Sequence, residues 1–472
     1  MNRNLALMII FVVFLSMLTL AFDDQSVKAE PETWTVDDNG PADFSTIQEA
    51  INAASDGGTI FVRMGTYYEN IVVNRTVVLT GEDSSTTIID GNGTGHVVII
   101  TSHGVNMTGF TVQNSGTAYH ITGINLNNVN HCNVSGNIIT NNEHGLEIHN
   151  SSYYNTICGN NMTENNKWGM HIIDSHYNNV SWNIIGGSIW GSIAIHGFST
   201  HNRIFENNVG NNDNGGISID GSNYNDIYEN NITNNLWGIS VQYGANYNAI
   251  SRNNIANNNY SFKLEWNTYA NMFCHNNLVG NAFPTSIVGN NNANSWDDGY
   301  PSGGNYWSDY AGVDLGPDGI GDTEYVIDSD NIDHYPLMGV FHSFNTSLGC
   351  SVDVVSNSTI ESFEYFESNS TIKMYVSNMT ANQKFGFCRV RIPHALMNDT
   401  YHITINGAEP YYWNYTLYDD GNNRWIYFSY QHSTLEIIII SEFLSFLILL
   451  LFMIVTLLAV IVHKRRHVSL RE

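Results

Sequence analysis

Basic residues are scarce in this 472-residue chain: Lys and Arg total 17 against 44 Asp and Glu, for a formal net charge of -27. A chain so acidic repels polyanions, which excludes nucleic acid as a partner and makes anionic membrane surfaces poor ones. Cysteine is scarce too. Five are too few to staple a protein of this length, and an odd count leaves at least one unpaired. Cys350 and Cys388 fall in one candidate domain, where they are free to pair. Cys158 and Cys274 recur five repeats apart, about 24 Å at the spacing of stacked strands, and cannot bond to each other.

The two ends set the compartment. Arg3 precedes an apolar run over 5–22, and Val27-Lys28-Ala29 supplies small residues before Glu30, so 1–29 reads as a signal peptide. Residues 443–462 are apolar for about 30 Å of helix, enough for one transmembrane span. The basic tail 463–472, opening His463-Lys464-Arg465-Arg466-His467, then stays in the cytoplasm. The expectation is a single-pass protein of the cell membrane with a large extracellular N-terminal part. About fifteen Asn-x-Ser/Thr sequons, among them Asn74, Asn133, Asn231, Asn357 and Asn414, lie on the exported side and suit a glycoprotein.

What the chain has in abundance is a repeat. From 89 to 292 it returns every 23 or 24 residues to Gly-Ile-x-Ile, a polar turn, then Asn-x-Ile-x-x-Asn-x-Ile. Asn137, Asn160, Asn183, Asn207, Asn230, Asn253 and Asn276 align in one column. Three residues before them stand Val134, Ile157, Val180, Ile204, Ile227, Ile250 and Phe273; two residues after, Ile139, Met162, Ile185, Val209, Ile232, Ile255 and Leu278. Short alternating strands cannot bury a face alone but can when each coil stacks on the last. The repeat has no helical half and no Leu pattern, which excludes a leucine-rich horseshoe. The fold expected is all-β: a right-handed parallel β-helix whose Asn column forms a hydrogen-bonded structural ladder along the axis.

Residues 44–54 show helical periodicity stopped by Gly57-Gly58, so 30–88 is expected to hold an N-terminal helical cap and the first coils. Ile47-Gln48-Glu49-Ala50-Ile51, Gly65-Thr66-Tyr67-Tyr68-Glu69-Asn70-Ile71 and Leu79-Thr80-Gly81-Glu82 resemble the opening of pectinesterase-like and NosD-like extracellular β-helix proteins. At the far end, within 293–339, Trp296-Asp297-Asp298-Gly299, Gly304-Asn305-Tyr306-Trp307, Asp318-Gly319-Ile320-Gly321-Asp322 and Tyr335-Pro336-Leu337 resemble the end of NosD-like proteins. The resemblance implies the fold first. It also implies copper handling, since NosD-type folds serve copper delivery to nitrous oxide reductase, or an undefined surface role. After 339 the rhythm changes to alternating stretches, and 340–436 is expected to form a small C-terminal β-sandwich stalk.

Outward residues also form columns, with neighbours about 4.8 Å apart at the rung spacing. Glu206 and Glu229 sit on consecutive rungs, as a retaining glycosidase pair would, with Arg252 and His275 following. The Gly-His-Gly and Arg-x-Lys set of polygalacturonase-like enzymes is absent, and the repeats hold too few bases for lyase chemistry. Catalysis is therefore not the leading expectation. Asp314, Asp318 and Asp322 recur every four residues among glycines and offer oxygen ligands to Ca2+. Copper needs converging His, Met or Cys; His149 and His196 share a column with Ile173 between them, about 9.6 Å apart, and His171 and His176 read as exposed. Trp168, Trp190, Trp237 and Tyr260 open successive coils and suit stacking on sugar rings, with Trp168 and Trp190 expected on adjacent rungs. The function expected is a surface-anchored β-helix that binds or organises envelope polysaccharide or glycoprotein. The alternatives are a carbohydrate-active enzyme using Glu206 and Glu229, and a NosD-like copper-handling protein.

Overall fold

The computed structural model describes residues 32–289, 293–397, 401–431 and 433–441. The signal peptide read at 1–29, the apolar span at 443–462 and the tail at 463–472 lie outside the described residues. Among the described residues no helix is long and apolar enough to cross a membrane.

The repeats coil into a parallel β-helix of about 11 turns, with sheets of 11, 10 and 11 strands running along its length. Register follows the sequence columns. Val134, Ile157, Val180, Ile204, Ile227, Ile250 and Phe273 pair rung on rung. All seven have no exposure, and the column of Ile139, Ile185 and Ile232 faces them across one continuous core. Each such side chain contributes roughly 1.5–3 kcal/mol by leaving water. That stabilisation is available only because a coil lies above and below.

The corners carry the ladder. Asn207 Oδ1 accepts hydrogen bonds from both the backbone N and Nδ2 of Asn183, at 3.0 Å each, and Asn207 Nδ2 passes the pattern on to Asn230 Oδ1 at 3.0 Å. The residue before each ladder Asn takes a left-handed conformation, as at Glu206, Glu229, Arg252 and His275, with φ of 54° to 58°. That turn throws its side chain outward while the Asn points in. Two further ladders brace the other corners: one through Asn155, Asn178, Asn202, Asn225, Asn248 and Asn271, and one through Asn142 and Asn165 that is interrupted at Ser188 and resumes through Asn212, Asn235 and Asn258.

Near the start, the helix Ile47–Ala53 is N-capped by Thr46 and buries Ile47, Ala50 and Ile51 against the first strands. At the other end Trp296 and Trp307 fill the last coil without exposure above 1%. Their indole N–H groups donate to Asn331 Oδ1 at 3.0 Å and Asp333 Oδ2 at 2.8 Å. The aromatic and Asp residues of that terminal segment thus close the solenoid. Beyond it, sheets of 5 and 4 antiparallel strands pack around a second core that includes Val354, Ile372, Val390, Ile403 and Phe428. The buried Arg389 ties this sandwich to the solenoid by donating to the carbonyls of Asp318, at 2.6 Å, and Pro301.

All five cysteines are free, so Cys350 and Cys388, though they share one domain, do not pair. Cys388 pairs across the sheet with Ser356. Cys350 lies six residues back along that strand, roughly 20 Å away at the rise of an extended chain.

Candidate metal centre

Strands of the ten-stranded sheet are six residues long over the central coils, so side chains alternate between core and surface. In the strand His144–His149, Leu146 and Ile148 point inward and Glu147 and His149 outward; in Trp168–Ile173, Met170 and Ile172 point inward and His171 outward. Parallel register then stacks Glu147 directly on His171, with Asn125 before them and Ala194 after. His120, in the left-handed conformation just before the strand Thr122–Asn127, folds over the same spot.

Three side chains converge there. Nδ1 of His120 donates to Glu147 Oε2 at 3.1 Å, and Nδ1 of His171 lies 3.5 Å from the same oxygen. This is the one group among the described residues in which three His, Cys, Asp or Glu donor atoms lie within 4.8 Å of one another. His144 stacks on His171 with ring centroids 5.1 Å apart and faces His120 at 6.2 Å. Glu147, His144 and His171 are all buried. Both ring nitrogens of His144 and Nε2 of His171 nonetheless have no hydrogen-bond partner, a costly arrangement unless a ligand completes it.

Burial pushes the His144 imidazole down to about 4, with the adjacent His171 adding to the shift. His171 is lowered chiefly by burial as well. Burial alone would raise the Glu147 carboxyl, but its hydrogen bonds with His171 and His120 outweigh that and hold it at about 2. The cluster is therefore a buried carboxylate beside two imidazoles, His144 and His171, that burial biases toward the neutral, metal-binding form. Aromatic groups wall it. Tyr119 lies 4.1 Å from His120, Trp168 5.6 Å from His171 and Trp190 6.2 Å from His144. Lys167 sits over the Tyr119 and Trp190 rings and pairs with Glu143 at 2.5 Å. On the other flank a cleft of ≈ 340 Å³ lined by His96, His120, Asn125, Glu147 and His149 opens the cluster to solvent.

Of the residues singled out in the sequence, His171 belongs here, and it is 2% exposed rather than solvent-facing. The reason is the shoulder of His144, Trp168 and His120 around it. His120, His144 and Glu147 were missed. Glu147 and His171 were legible as an outward column, since Gly145-Leu146-Glu147-Ile148 aligns with Gly169-Met170-His171-Ile172; the fold-over of His120 from its turn was not. His149 and His196 share their column with Ile173, but His149 bonds Asn125 at 2.8 Å and His196 pairs with Asp220 at 3.0 Å. His176 bonds Thr200 at 3.0 Å, apart from the cluster.

The other expected sites fare differently. Trp168 and Trp190 do not share a column: Trp168 pairs with Gly191, whose Cα lies under the indole, and Trp190 stands one residue earlier, beside Tyr119. Trp237 and Tyr260 do stack, at 4.4 Å, and Phe283 continues the stack at 4.9 Å. Glu206 and Glu229 occupy left-handed corners, and Arg252 Nε lies 3.0 Å from Glu229 Oε1. An acid held by its own guanidinium is not the free proton donor a glycosidase needs, although burial raises its pKa. Asp314, Asp318 and Asp322 already serve their own loop. Asp314 accepts from the N–H of Asp318 and Gly319, Asp318 from Ile320 and Asp322 from Leu315. Among the described residues they do not bring three carboxylate oxygens within 4.8 Å of one another.

No curated protein matches the sequence. Among solved structures, an alginate lyase from Paenibacillus sp. str. FPU-7 is 14% identical, covering 53% of this chain and 96% of its own, with a TM-score of 0.44. The A-module of the Azotobacter vinelandii mannuronan C-5 epimerase AlgE6 is 17% identical over 52% of this chain and 93% of its own, with a TM-score of 0.33. The catalytic domain of an alpha-1,3-glucanase is 12% identical over 57% and 70%, with a TM-score of 0.40. The family described as periplasmic copper-binding protein (NosD) matches residues 51–235 and 188–312, together more than half of the chain. With its coil, closing segment and histidine cluster all inside or beside that stretch, the chain belongs to the NosD family.

Proposed function

We propose that the protein is an exported metal-binding β-helix whose centre is formed by His120, Glu147 and His171. The observation that carries this reading is their convergence within 4.8 Å beside buried ring nitrogens of His144 and His171 that have no protein partner. The donor chemistry fits the family's copper. Imidazole and carboxylate are copper ligands, and burial favours the neutral form of the His171 ring, whose lone pair is then ready to bind. A bound copper ion would supply Lewis acidity or a one-electron couple. The chain's own residues do the rest: Glu147 holds His120 and His171 in place before an ion arrives, Tyr119, Trp168 and Trp190 shield the cluster, and the cleft beside His149 gives entry. The two apolar ends of the sequence and the family's periplasmic description support the proposal of export with a C-terminal membrane anchor.

The test is titration of the purified chain with copper, followed by equilibrium dialysis. One ion per chain is expected, with loss of retention in His120→Asn and Glu147→Gln. Retention unchanged in both variants would place the metal elsewhere and sink the assignment.

A second reading, envelope glycan binding, draws on one observation. In the column between Trp168 and Trp237 stand Gly191 and Gly215, and a Cβ built on Gly215 meets nothing nearer than a carbonyl at 4.0 Å. That leaves room beside Gly215, between the Trp168 indole that covers Gly191 and the Trp237 indole. Trp237→Ala should then weaken retention on the cognate polysaccharide without altering metal content.

A further inference from the structure

We infer that this centre selects a divalent cation of borderline hardness, Cu(II) or Zn(II), over Cu(I), and that His144 is its fourth donor. The inference rests on the metal-binding reading above and adds to it the charge class of the ion and the ligand set.

The donors are the first argument. Soft thiolates and thioethers select Cu(I), whereas imidazole and carboxylate suit Cu(II) and Zn(II). The soft side chains nearby are turned away. Met170, on the same strand as His171, points into the core with no exposure. Cys132, Cys158 and Cys274 lie at or beside strands of a different sheet. What remains at the centre is three imidazoles and a carboxylate.

Charge is the second argument. Glu147 is buried, and its contacts at the centre are imidazoles, groups charged only when protonated. The neighbouring ammonium of Lys167 is taken by Glu143 at 2.5 Å. A buried anion without a fixed countercharge favours a dication over a monocation, since Coulomb attraction scales with the ion's charge. Spacing is the third. Two ligands each about 2.0–2.1 Å from one ion stand roughly 3–4 Å apart, which brackets the 3.1 Å and 3.5 Å separations of His120 and His171 from Glu147. The hydrogens now shared at those contacts are what an ion would replace.

His144 stands outside the three donors that converge within 4.8 Å and is the next imidazole beside them. It is fully buried, stacks on His171 at 5.1 Å and has neither nitrogen satisfied. Histidine held in a core for packing alone would be replaced by Phe without leaving two desolvated polar atoms behind. The orphaned nitrogens are explained if one of them is a ligand.

The purified full chain is titrated with Cu(II), with Zn(II), and anaerobically with Cu(I) in competition with bicinchoninate. Cu(II) and Zn(II) should each bind at one ion per chain, and Cu(I) should be surrendered to the chelator. The Cu(II) electron paramagnetic resonance spectrum should show coupling to three nitrogens, falling to two in His144→Phe, which preserves the ring stack. Glu147→Gln should weaken both divalent ions by about tenfold or more. His120, with 46% of its side chain exposed, provides His120→Asn as a variant whose folding is not at stake. Cu(I) held against the chelator while Cu(II) is released overturns the inference and leaves a metal site of another kind. Failure of all three ions to bind removes the metal-binding reading itself. An unchanged nitrogen count in His144→Phe overturns the assignment of the fourth donor.

Discussion

Replacing Asn207 by Leu in the middle of its ladder tests whether polar stacking, and not apolar burial alone, holds the coils in register. The Asn207 side chain makes five hydrogen-bond contacts in buried surroundings, three of them sharing the two hydrogens of Nδ2. Its Oδ1 accepts from Asn183 N and Asn183 Nδ2, and its Nδ2 donates to Val180 O at 2.9 Å, Phe205 O at 3.0 Å and Asn230 Oδ1 at 3.0 Å. Counted as four full bonds at about 1 kcal/mol net each, their loss costs roughly 4 kcal/mol, more where a buried partner is stranded. Asn183 Nδ2 keeps its bonds to Ile157 O and Ser181 O at 2.9 Å. Its backbone N–H loses the acceptor it had. Leu recovers about 1–2 kcal/mol of apolar transfer, so a net destabilisation of about 2–4 kcal/mol is expected. Asn208→Leu is the control, because Asn208 is exposed and bonds Asn231 at 3.1 Å where water can substitute. It should cost under about 1 kcal/mol. The assay is urea unfolding followed by far-ultraviolet circular dichroism. If the two variants shift the midpoint equally, the ladder does not stabilise the solenoid and the reasoning fails.

Three further outcomes are expected. His342 Nε2 is buried without a partner and burial lowers its pKa to about 4. With the unfolded value near 6.5, the sandwich keeps its full stability above pH 6.5 and loses up to about 3 kcal/mol as pH falls toward 4; His342→Leu should flatten that slope, and an unchanged slope would discard the account. Arg389→Met strands the carbonyls of Asp318 and Pro301 and should cost about 2–4 kcal/mol, read as faster proteolysis between solenoid and sandwich; wild-type cleavage rates would show the tie to be incidental. Because Asp314, Asp318 and Asp322 already accept backbone N–H bonds, melting in calcium and in chelator should coincide, and a rise of several degrees in calcium would restore a metal loop there.

The coil itself was legible from residue order. A 23- or 24-residue period with apolar residues at fixed offsets can be satisfied only by stacking, and Val134 to Phe273 pair as their spacing requires. The ladder was legible for the same reason, because a column of Asn one rung apart bonds to itself wherever the rungs stack. The corner chemistry was half legible: Glu206 and Glu229 align, but their left-handed turns and the guanidinium of Arg252 against Glu229 depend on side-chain direction.

The sequence by itself determined the period, the register and the inward columns, since these follow from spacing along a chain that repeats. The tertiary structure alone decided the site. His120 reaches Glu147 across 27 residues of chain from a turn that departs from the repeat, and Trp190 falls out of the tryptophan column because Gly191 takes the place beside Trp168. Neither is a property of the period. Periodic positions are fixed by packing against identical neighbours, whereas a functional cluster forms where the repeat is broken and side chains from unlike positions converge.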